Sequence, residues 1–350
     1  MLAADSKVAT APGTSPLYPE STSSWKQIID PIEPFLEAVS NRLAKEVDAF
    51  DPHIAPYADY ALTAQGKHLR PALVALSASA LGPLTESHVT VAVIIEMVHL
   101  ATLVHDDVMD EAEIRRGRLT LAANWGNEIA VLFGDCLFAH ALKLAASFPT
   151  PEICRAVAMA TNTVCAGEIL QTQHRRDFGF TREEYFKVLE MKTAELFALS
   201  CDLSACLSGA GPDRRLALRQ FGLAFGTAYQ LYDDCVDLFG SEAAAGKSLG
   251  TDLAKGKLTL PILLAWERAD DADRALLQDL IKVWENGSMK RMAELLAKYE
   301  SLGLTLQSLQ TCLARSRQFL DTLPASNGRN GLLGLTEYLA RQTDALGVCA

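Results

Sequence analysis

Two short acidic runs of matching spacing carry the strongest chemical signal in this chain. The first reads His105-Asp106-Asp107-Val108-Met109-Asp110 and is followed by Glu111, Glu113 and Arg115-Arg116-Gly117; the second reads Asp233-Asp234-Cys235-Val236-Asp237. In each run the first and last aspartates are four residues apart, which on an α-helix places both on one face, about 5.4 Å apart along the axis. Like charges roughly 4 Å apart in a surface-like dielectric repel by about 4 kcal/mol, so something positive must neutralise them. Mg2+ fits best, because it prefers oxygen, keeps waters, and is commonly held by one or two carboxylates plus substrate phosphates. A single DDxxD more often marks a solvated helix end, but two of them, each closing an apolar helix, point to a site. Neither run alternates acidic residues around a glycine as a calcium-binding loop does.

Cations are the next requirement of an anionic substrate. Gly66-Lys67-His68-Leu69-Arg70-Pro71 sets two of them three residues apart at a turn, with Pro71 placed to begin a helix. Taken alone, that hexapeptide also suits a surface turn with incidental charge. Arg115 and Arg116 can clamp phosphate oxygens bidentately, or else pair with Glu111 or Glu113. Lys192-Thr193 lies in a helix marked by Phe186, Leu189, Leu196 and Phe197, and Lys247 and Lys257 follow the second acidic run. A lone lysine in such a place is ordinarily solvated, and a histidine such as His99 on an apolar helix is ordinarily a satisfied core residue. The register of His99 with Asp106 favours a ligand-facing role.

These side chains need helices to position them. Apolar residues recur at three- and four-residue intervals from residue 24 onward and alternating stretches are scarce, so the fold class is all-α. One helix is predicted from Thr85 to about Glu111, apolar on nearly every side in its first half and therefore buried centrally. On it His99, Thr102, Leu103, Asp106 and Asp110 form one stripe; on a later helix, from Asp213 to Gly240, Gln230, Asp233 and Asp237 do the same. Thr181 and Glu184 make a capping box that opens a helix running to Gly209–Pro212. The C-terminal third carries no chemical motif.

Composition narrows the class further. With 350 residues, 49% of them hydrophobic, and no internal linker, the expectation is one domain over residues 25–350 behind a tail of residues 1–24 rich in Ala, Ser, Thr and Pro. That tail has neither the apolar core of a secretory signal nor the early arginines of a transit peptide. Charges or prolines interrupt every apolar run short of the roughly 20 residues that span a membrane, so no span is expected, only peripheral contact. Eight cysteines without CxxC spacing read as reduced core residues of a cytoplasmic protein. A net charge of −11 argues against nucleic acid as a partner.

Taken together, these motifs resemble the trans-isoprenyl diphosphate synthase family, all-helical enzymes that build geranylgeranyl and longer polyprenyl diphosphates. The resemblance implies a single-domain helical bundle around a central elongated cavity. The resemblance runs from Gly66 to Pro261: GKHLRP, EMVHLATLVHDDVMD followed by RRG, GEILQ at Gly167–Gln171, MKTAELF, YQLYDDCVD and GKSLGTDLAKGKLTLP occur in the family's order. It implies that Asp106, Asp110, Asp233 and Asp237, with Asp107 and Asp234 beside them, hold Mg2+, about three ions per site, on the allylic diphosphate. Arg115, Lys192, Thr193, Gln230, Lys247 and Lys257 would support that group, with Lys192 and Lys257 acting in catalysis. Lys67, Arg70, His99 and Arg116 match positions that hold the diphosphate of isopentenyl diphosphate. The implied partners are isopentenyl diphosphate, a geranyl, farnesyl or geranylgeranyl diphosphate, and a second copy of the chain in a homodimer. Tyr229 stands where relatives often have Phe, a modest departure.

Residues four and five before the first aspartate wall off the growing chain in this family. Here they are Thr102 and Ala101, both small, which implies a product of about six to ten isoprene units. The alternative is a four-unit product, with a deeper floor supplied by the helix over residues 134–148. A class I terpene cyclase would carry Asn and Ser in its second metal motif, and a non-catalytic subunit of a heteromeric synthase would usually lack one aspartate motif.

Overall fold

Helical periodicity is realised along almost the whole chain. The structure, a computed structural model, describes residues 22–63, 66–115, 117–240, 249–284 and 288–346. The described helices are α1 Thr22–Ile29, α2 Glu33–Glu46, α3 Ala55–Leu62, α4 Leu69–Ser79, α5 Glu86–Met109, α6 Leu121–Trp125, α7 Asn127–Ala146, α8 Glu152–Gln173 and α9 Arg182–Leu189; then α10 Glu195–Leu207, α11 Pro212–Phe239, α12 Thr251–Ala254, α13 Leu260–Arg268, α14 Asp271–Lys282, α15 Ser288–Lys298, α16 Ser301–Phe319 and α17 Asn327–Thr343. The strands described are a two-residue antiparallel pair, Ile114–Arg115 with Arg118–Leu119. The expected tail lies outside the described residues up to position 21, while Thr22–Ser24 already belong to α1.

The central helix is α5. From Val91 to Met97 none of its aliphatic side chains is exposed, as its all-round apolar first half requires. Thr85 caps it with His88 closing the box in place of the usual Glu or Gln, and the helix ends at Met109, where Glu111 takes a positive φ of 49°. The helix expected after Thr181 is present in three contiguous pieces: α9, capped by Thr181 and Glu184, a π-helical turn at Glu190–Ala194, and α10. Such wide turns often mark functional positions, and this one holds Lys192 and Thr193.

Close approach of three helices fixes that turn. A Cβ at Gly167 of α8 would stand 2.7 Å from the Lys192 backbone nitrogen, and one at Gly226 of α11 would stand 2.8 Å from Ala194 Cα. Only hydrogen fits there, so α8 and α11 grip the turn from two sides. Helices α16 and α17 return from the C-terminal third to pack on α11 and α4, and α1 packs on α17. One continuous apolar cluster joins these layers from Ile28 to Leu339.

One sequence expectation needs correction. Three helices, α5, α7 and α8, with 24, 20 and 22 residues, are long and apolar enough to cross a membrane by length and composition alone. Their few charges lie mostly toward the helix ends and do not break the runs. Most of α5 is covered by the rest of the protein, whereas α7 and α8 turn Leu132, Met159 and Ile169 outward, each more than half exposed.

Candidate active site

At the C-terminal end of α5, His99, Thr102, Leu103, Asp106 and Asp110 are all half-buried, as are Leu100, His105 and Val108, while Ala101, Val104 and Asp107 are covered. Asp110 is surrounded by cations. Its Oδ2 accepts a hydrogen bond from Lys257 Nζ at 2.9 Å and lies 3.5 Å from Lys255 Nζ, and its Oδ1 accepts from Arg175 Nη2 at 3.2 Å. Burial works to raise the Asp110 carboxyl, but the charges of Lys257 and Lys255 overcome it and hold the group below the usual carboxylate range. Asp106 has a weaker companion, Lys192 at 3.9 Å, which is itself paired with Glu168 and donates to Gln171 Oε1 at 2.8 Å. Burial raises Asp106 above its ordinary value, and Glu168 and Asp110 add like-charge repulsion that Lys192 and Lys257 only partly offset.

The basic cage comes from two distant segments pinned together. The backbone N–H of Arg176 donates to the carbonyl of Gly256 at 2.7 Å, with Arg176 at φ 59° and Gly256 at φ 75°. A Cβ at Gly256 would meet Arg176 Cγ at 2.5 Å, so this crossing demands glycine. It sets Arg175 from the end of α8 beside Lys255 and Lys257. Burial lowers the Lys257 ammonium, yet Asp252 and Asp110 more than compensate and raise it.

Asp107 departs from expectation. One helical step takes it off the stripe; it is only 5% exposed, and it accepts from Arg115 Nε at 2.7 Å. Arg115, expected on phosphate or beside Glu111 or Glu113, therefore serves Asp107 in this structure. Arg116 lies outside the described residues, as does Lys247.

The second cluster repeats the spacing without repeating the layout. Asp233 is half-buried, but Asp234 and Asp237 are almost wholly covered. Asp234 accepts from the Tyr185 hydroxyl at 2.5 Å and from Gln230 Nε2 at 2.8 Å, and Gln230 Oε1 in turn accepts from the Thr193 hydroxyl at 2.9 Å. Burial, reinforced by the charge of Asp252, pushes Asp234 up to about 8. Asp237, expected to be a metal ligand, is 1% exposed and caps α12: Oδ1 accepts from the Thr251 hydroxyl at 2.8 Å and backbone N–H at 3.3 Å, and Oδ2 from the Asp252 N–H at 3.1 Å. Both oxygens bond at a helix N-terminus, so in this structure Asp237 ties α12 to α11. Asp252 lies 3.6 Å from Lys257, so a chain of contacts runs from Asp237 through Asp252 and Lys257 to Asp110.

The cations of the Gly66–Pro71 turn have aromatic neighbours. Arg70 lies over the Phe197 ring at 4.8 Å, and Lys67 is 5.9 Å from the ring centroids of both Trp25 and Tyr338. His68 adopts φ 45° and caps α4, with Nδ1 3.7 Å from Glu96. Of the proposed wall residues, Ala101 is wholly buried, while half-buried Thr102 donates its hydroxyl to the His99 carbonyl at 2.7 Å.

Sequence reasoning missed Arg175, Lys255, Glu168, Tyr185 and Asp252. Glu168 and Gln171 share the GEILQ motif three residues apart, a helical spacing that could have drawn attention to them, and Lys255 lies two residues before Lys257; Tyr185 carries no local signal. Among the described residues no three His, Cys, Asp or Glu side chains converge into a ready-made ion cage.

The profile of the polyprenyl synthetase family matches residues 51–299. Octaprenyl diphosphate synthase of Escherichia coli is 34% identical over 287 residues, covering 81% of this chain and 88% of that protein. The crystal structure of a decaprenyl diphosphate synthase from Rhodobacter capsulatus superposes with a TM-score of 0.86 at 30% identity, covering 91% of this chain and 99% of the other. That of a polyprenyl synthase from Caulobacter crescentus, complexed with calcium and isoprenyl diphosphate, gives 0.85 at 31%, covering 92% and 99%.

Proposed function

This chain belongs to the polyprenyl synthetase family and is a prenyl transferase, and from that premise we propose that it extends a geranyl, farnesyl or geranylgeranyl diphosphate with isopentenyl diphosphate, using Mg2+, to a long polyprenyl product. The observation that carries the proposal is the gathering of Lys192, Lys255, Lys257 and Arg175 around Asp106 and Asp110. Opposite charges held this way suit a bridge of metal and diphosphate, in which the carboxylates meet cation and the lysines meet phosphate.

The donor set fits Mg2+. The candidate ligands are carboxylate oxygens, and the burial that chiefly raises Asp106, with the repulsion of Glu168 and Asp110 added to it, penalises an anion that a divalent cation would stabilise. Asp106, Asp110 and Asp233 would hold it, and there it would supply neutralisation of charge on the departing pyrophosphate. Lys192 and Lys257 donate to the departing diphosphate as charge develops on it. The allylic carbon–oxygen bond breaks with its electron pair leaving on pyrophosphate, and the double bond of isopentenyl diphosphate attacks the resulting cation. Loss of a proton restores an alkene. No side-chain base stands in the motifs, so released pyrophosphate is the acceptor. Lys67, Arg70 and His99 hold the second diphosphate, and the chain from half-buried Thr193 and Gln230 to buried Asp234 and Tyr185 keeps the floor of the site rigid.

The small Ala101 and Thr102 support a tunnel that continues past this level to about six to ten isoprene units. The outward apolar side chains of α7 and α8, among them Leu132, Met159 and Ile169, support a homodimer through that face. Unpaired cysteines, Cys201 and Cys235 buried among them, support a cytoplasmic enzyme.

One assay tests the reading. Purified protein with Mg2+, isopentenyl diphosphate and farnesyl diphosphate is expected to yield long prenyl alcohols after dephosphorylation, and Ala101→Phe to shorten them. Hydrocarbon from farnesyl diphosphate alone would identify a cyclase instead, and turnover only with a second polypeptide would identify a subunit. An unchanged product distribution in Ala101→Phe would remove the wall.

A further inference from the structure

We infer that Trp25 of α1 and Tyr338 of α17 are positioning residues for the isopentenyl diphosphate subsite, holding the Lys67 ammonium in place through their ring faces. The inference rests on the assignment of Lys67 to that subsite and deepens it. Lys67 sits in the short segment before α4, exposed to solvent, on a long stem that no regular element restrains. Its ammonium lies 5.9 Å from each ring centroid, and the two rings, half-buried, are 5.2 Å apart and inclined at 46°, so they form a V against the cation. Both distances fall within the roughly 6 Å reach of a cation–π attraction. The same cleft is lined by Leu69, Tyr229 and Tyr232, which joins it to the helix of the second acidic cluster.

Arg70, the other cation of the turn, shows the same device, lying 4.8 Å over Phe197, whose ring packs on Tyr229 at 5.5 Å. A ring face attracts the charge without consuming N–H donors. It can therefore orient a lysine without competing with a phosphate for its N–H groups. The V is assembled from the two ends of the described chain, because α1 docks on α17 closely enough that a Cβ at Gly334 would stand 3.0 Å from Ile28 Cγ1. Docking of the termini thereby sets the geometry of the second substrate's anion site. Motifs alone do not show this, since Trp25 and Tyr338 lie outside all of them.

Steady-state kinetics of the full chain test the inference through a split between the two substrates. Trp25→Leu and Tyr338→Leu should each raise KM for isopentenyl diphosphate about two- to fivefold, the exposed cation–π range, and leave kcat and KM for the allylic diphosphate unchanged. Trp25→Phe, which keeps a ring, should restore most of the parent value. In a Lys67→Ala background, Trp25→Leu should change nothing further, because the interaction it removes is already absent. Equal increases for both substrates, an unaltered or lowered KM for isopentenyl diphosphate, or an effect persisting without Lys67 would overturn the inference. If Trp25→Leu does not fold, Tyr338→Leu and Trp25→Phe carry the same comparison. Lys67→Ala alone separates the two levels: no change in KM there removes Lys67 from the subsite, whereas a rise there with silent Trp25 and Tyr338 variants sinks only the positioning role.

Discussion

The two DDxxD runs have the same letters at the same spacing and opposite surroundings. At the end of α5, Asp106 and Asp110 are half-buried and face lysine and arginine side chains, long and rotatable partners. On α11, Asp234 and Asp237 are covered and face a phenol, an amide and the N–H groups of α12, short partners held by the fold. Only Asp233 of that run keeps an accessible carboxylate. Matching spacing therefore sits in two settings: the first run faces long, mobile cations, and most of the second is tied into the fold.

The sharpest way to break this contrast is to remove one carboxylate from each side. Asp106→Ala or Asp110→Ala should lower kcat by about 10²–10³-fold, the cost of losing one preorganised charge-stabilising group; Tm should stay close to the parent for Asp106→Ala and fall for Asp110→Ala, which strips buried Lys257 of its 2.9 Å partner. Asp237→Ala should also impair activity, through a different route. It strips acceptors from the Thr251 and Asp252 N–H groups, costing about 3 kcal/mol and lowering Tm by several degrees. Thermal unfolding beside kcat for the three variants decides the matter; an Asp237→Ala protein as inactive as Asp106→Ala at an unchanged Tm would show that Asp237 is a ligand after all.

Much of this layout was legible in the chain because it is local. Helices α5 and α11, the stripe on α5 and the Thr181 capping box follow from period and capping chemistry within a few residues. What escaped depends on distant segments. Whether Asp237 faces substrate or backbone is decided by where α12 docks, fourteen residues on. Arg175 joins Asp110 only because Arg176 bonds to Gly256, and Tyr185 meets Asp234 across 49 positions of sequence. Membrane-length helices escape sequence reasoning for a simpler reason: scattered charges look like breaks, though a long helix can carry a few and stay apolar enough overall.

The smallest expected effect is the most specific. Asp110 and Asp234 are shifted in opposite directions, so their contributions to stability in metal-free buffer should have opposite pH dependence. Asp234, raised to about 8 by burial and by Asp252, favours its protonated form when folded. Its contribution is full below the unfolded value of about 3.9 and is lost as pH climbs toward the folded value. Asp110, despite burial, is depressed by Lys257 and Lys255; its contribution is present above the unfolded value and is lost as pH falls through the folded one. Asp234→Asn keeps an acceptor for Gln230 and cannot ionise, so its Tm should decline less than the parent's between about pH 5 and 8. Asp110→Asn should instead flatten the acid limb and leave the alkaline limb as it was. Parallel Tm profiles for parent and Asp234→Asn would mean that the buried aspartate is ionised throughout and compensated by its neighbours, and the second cluster would then differ from the first in exposure but not in charge.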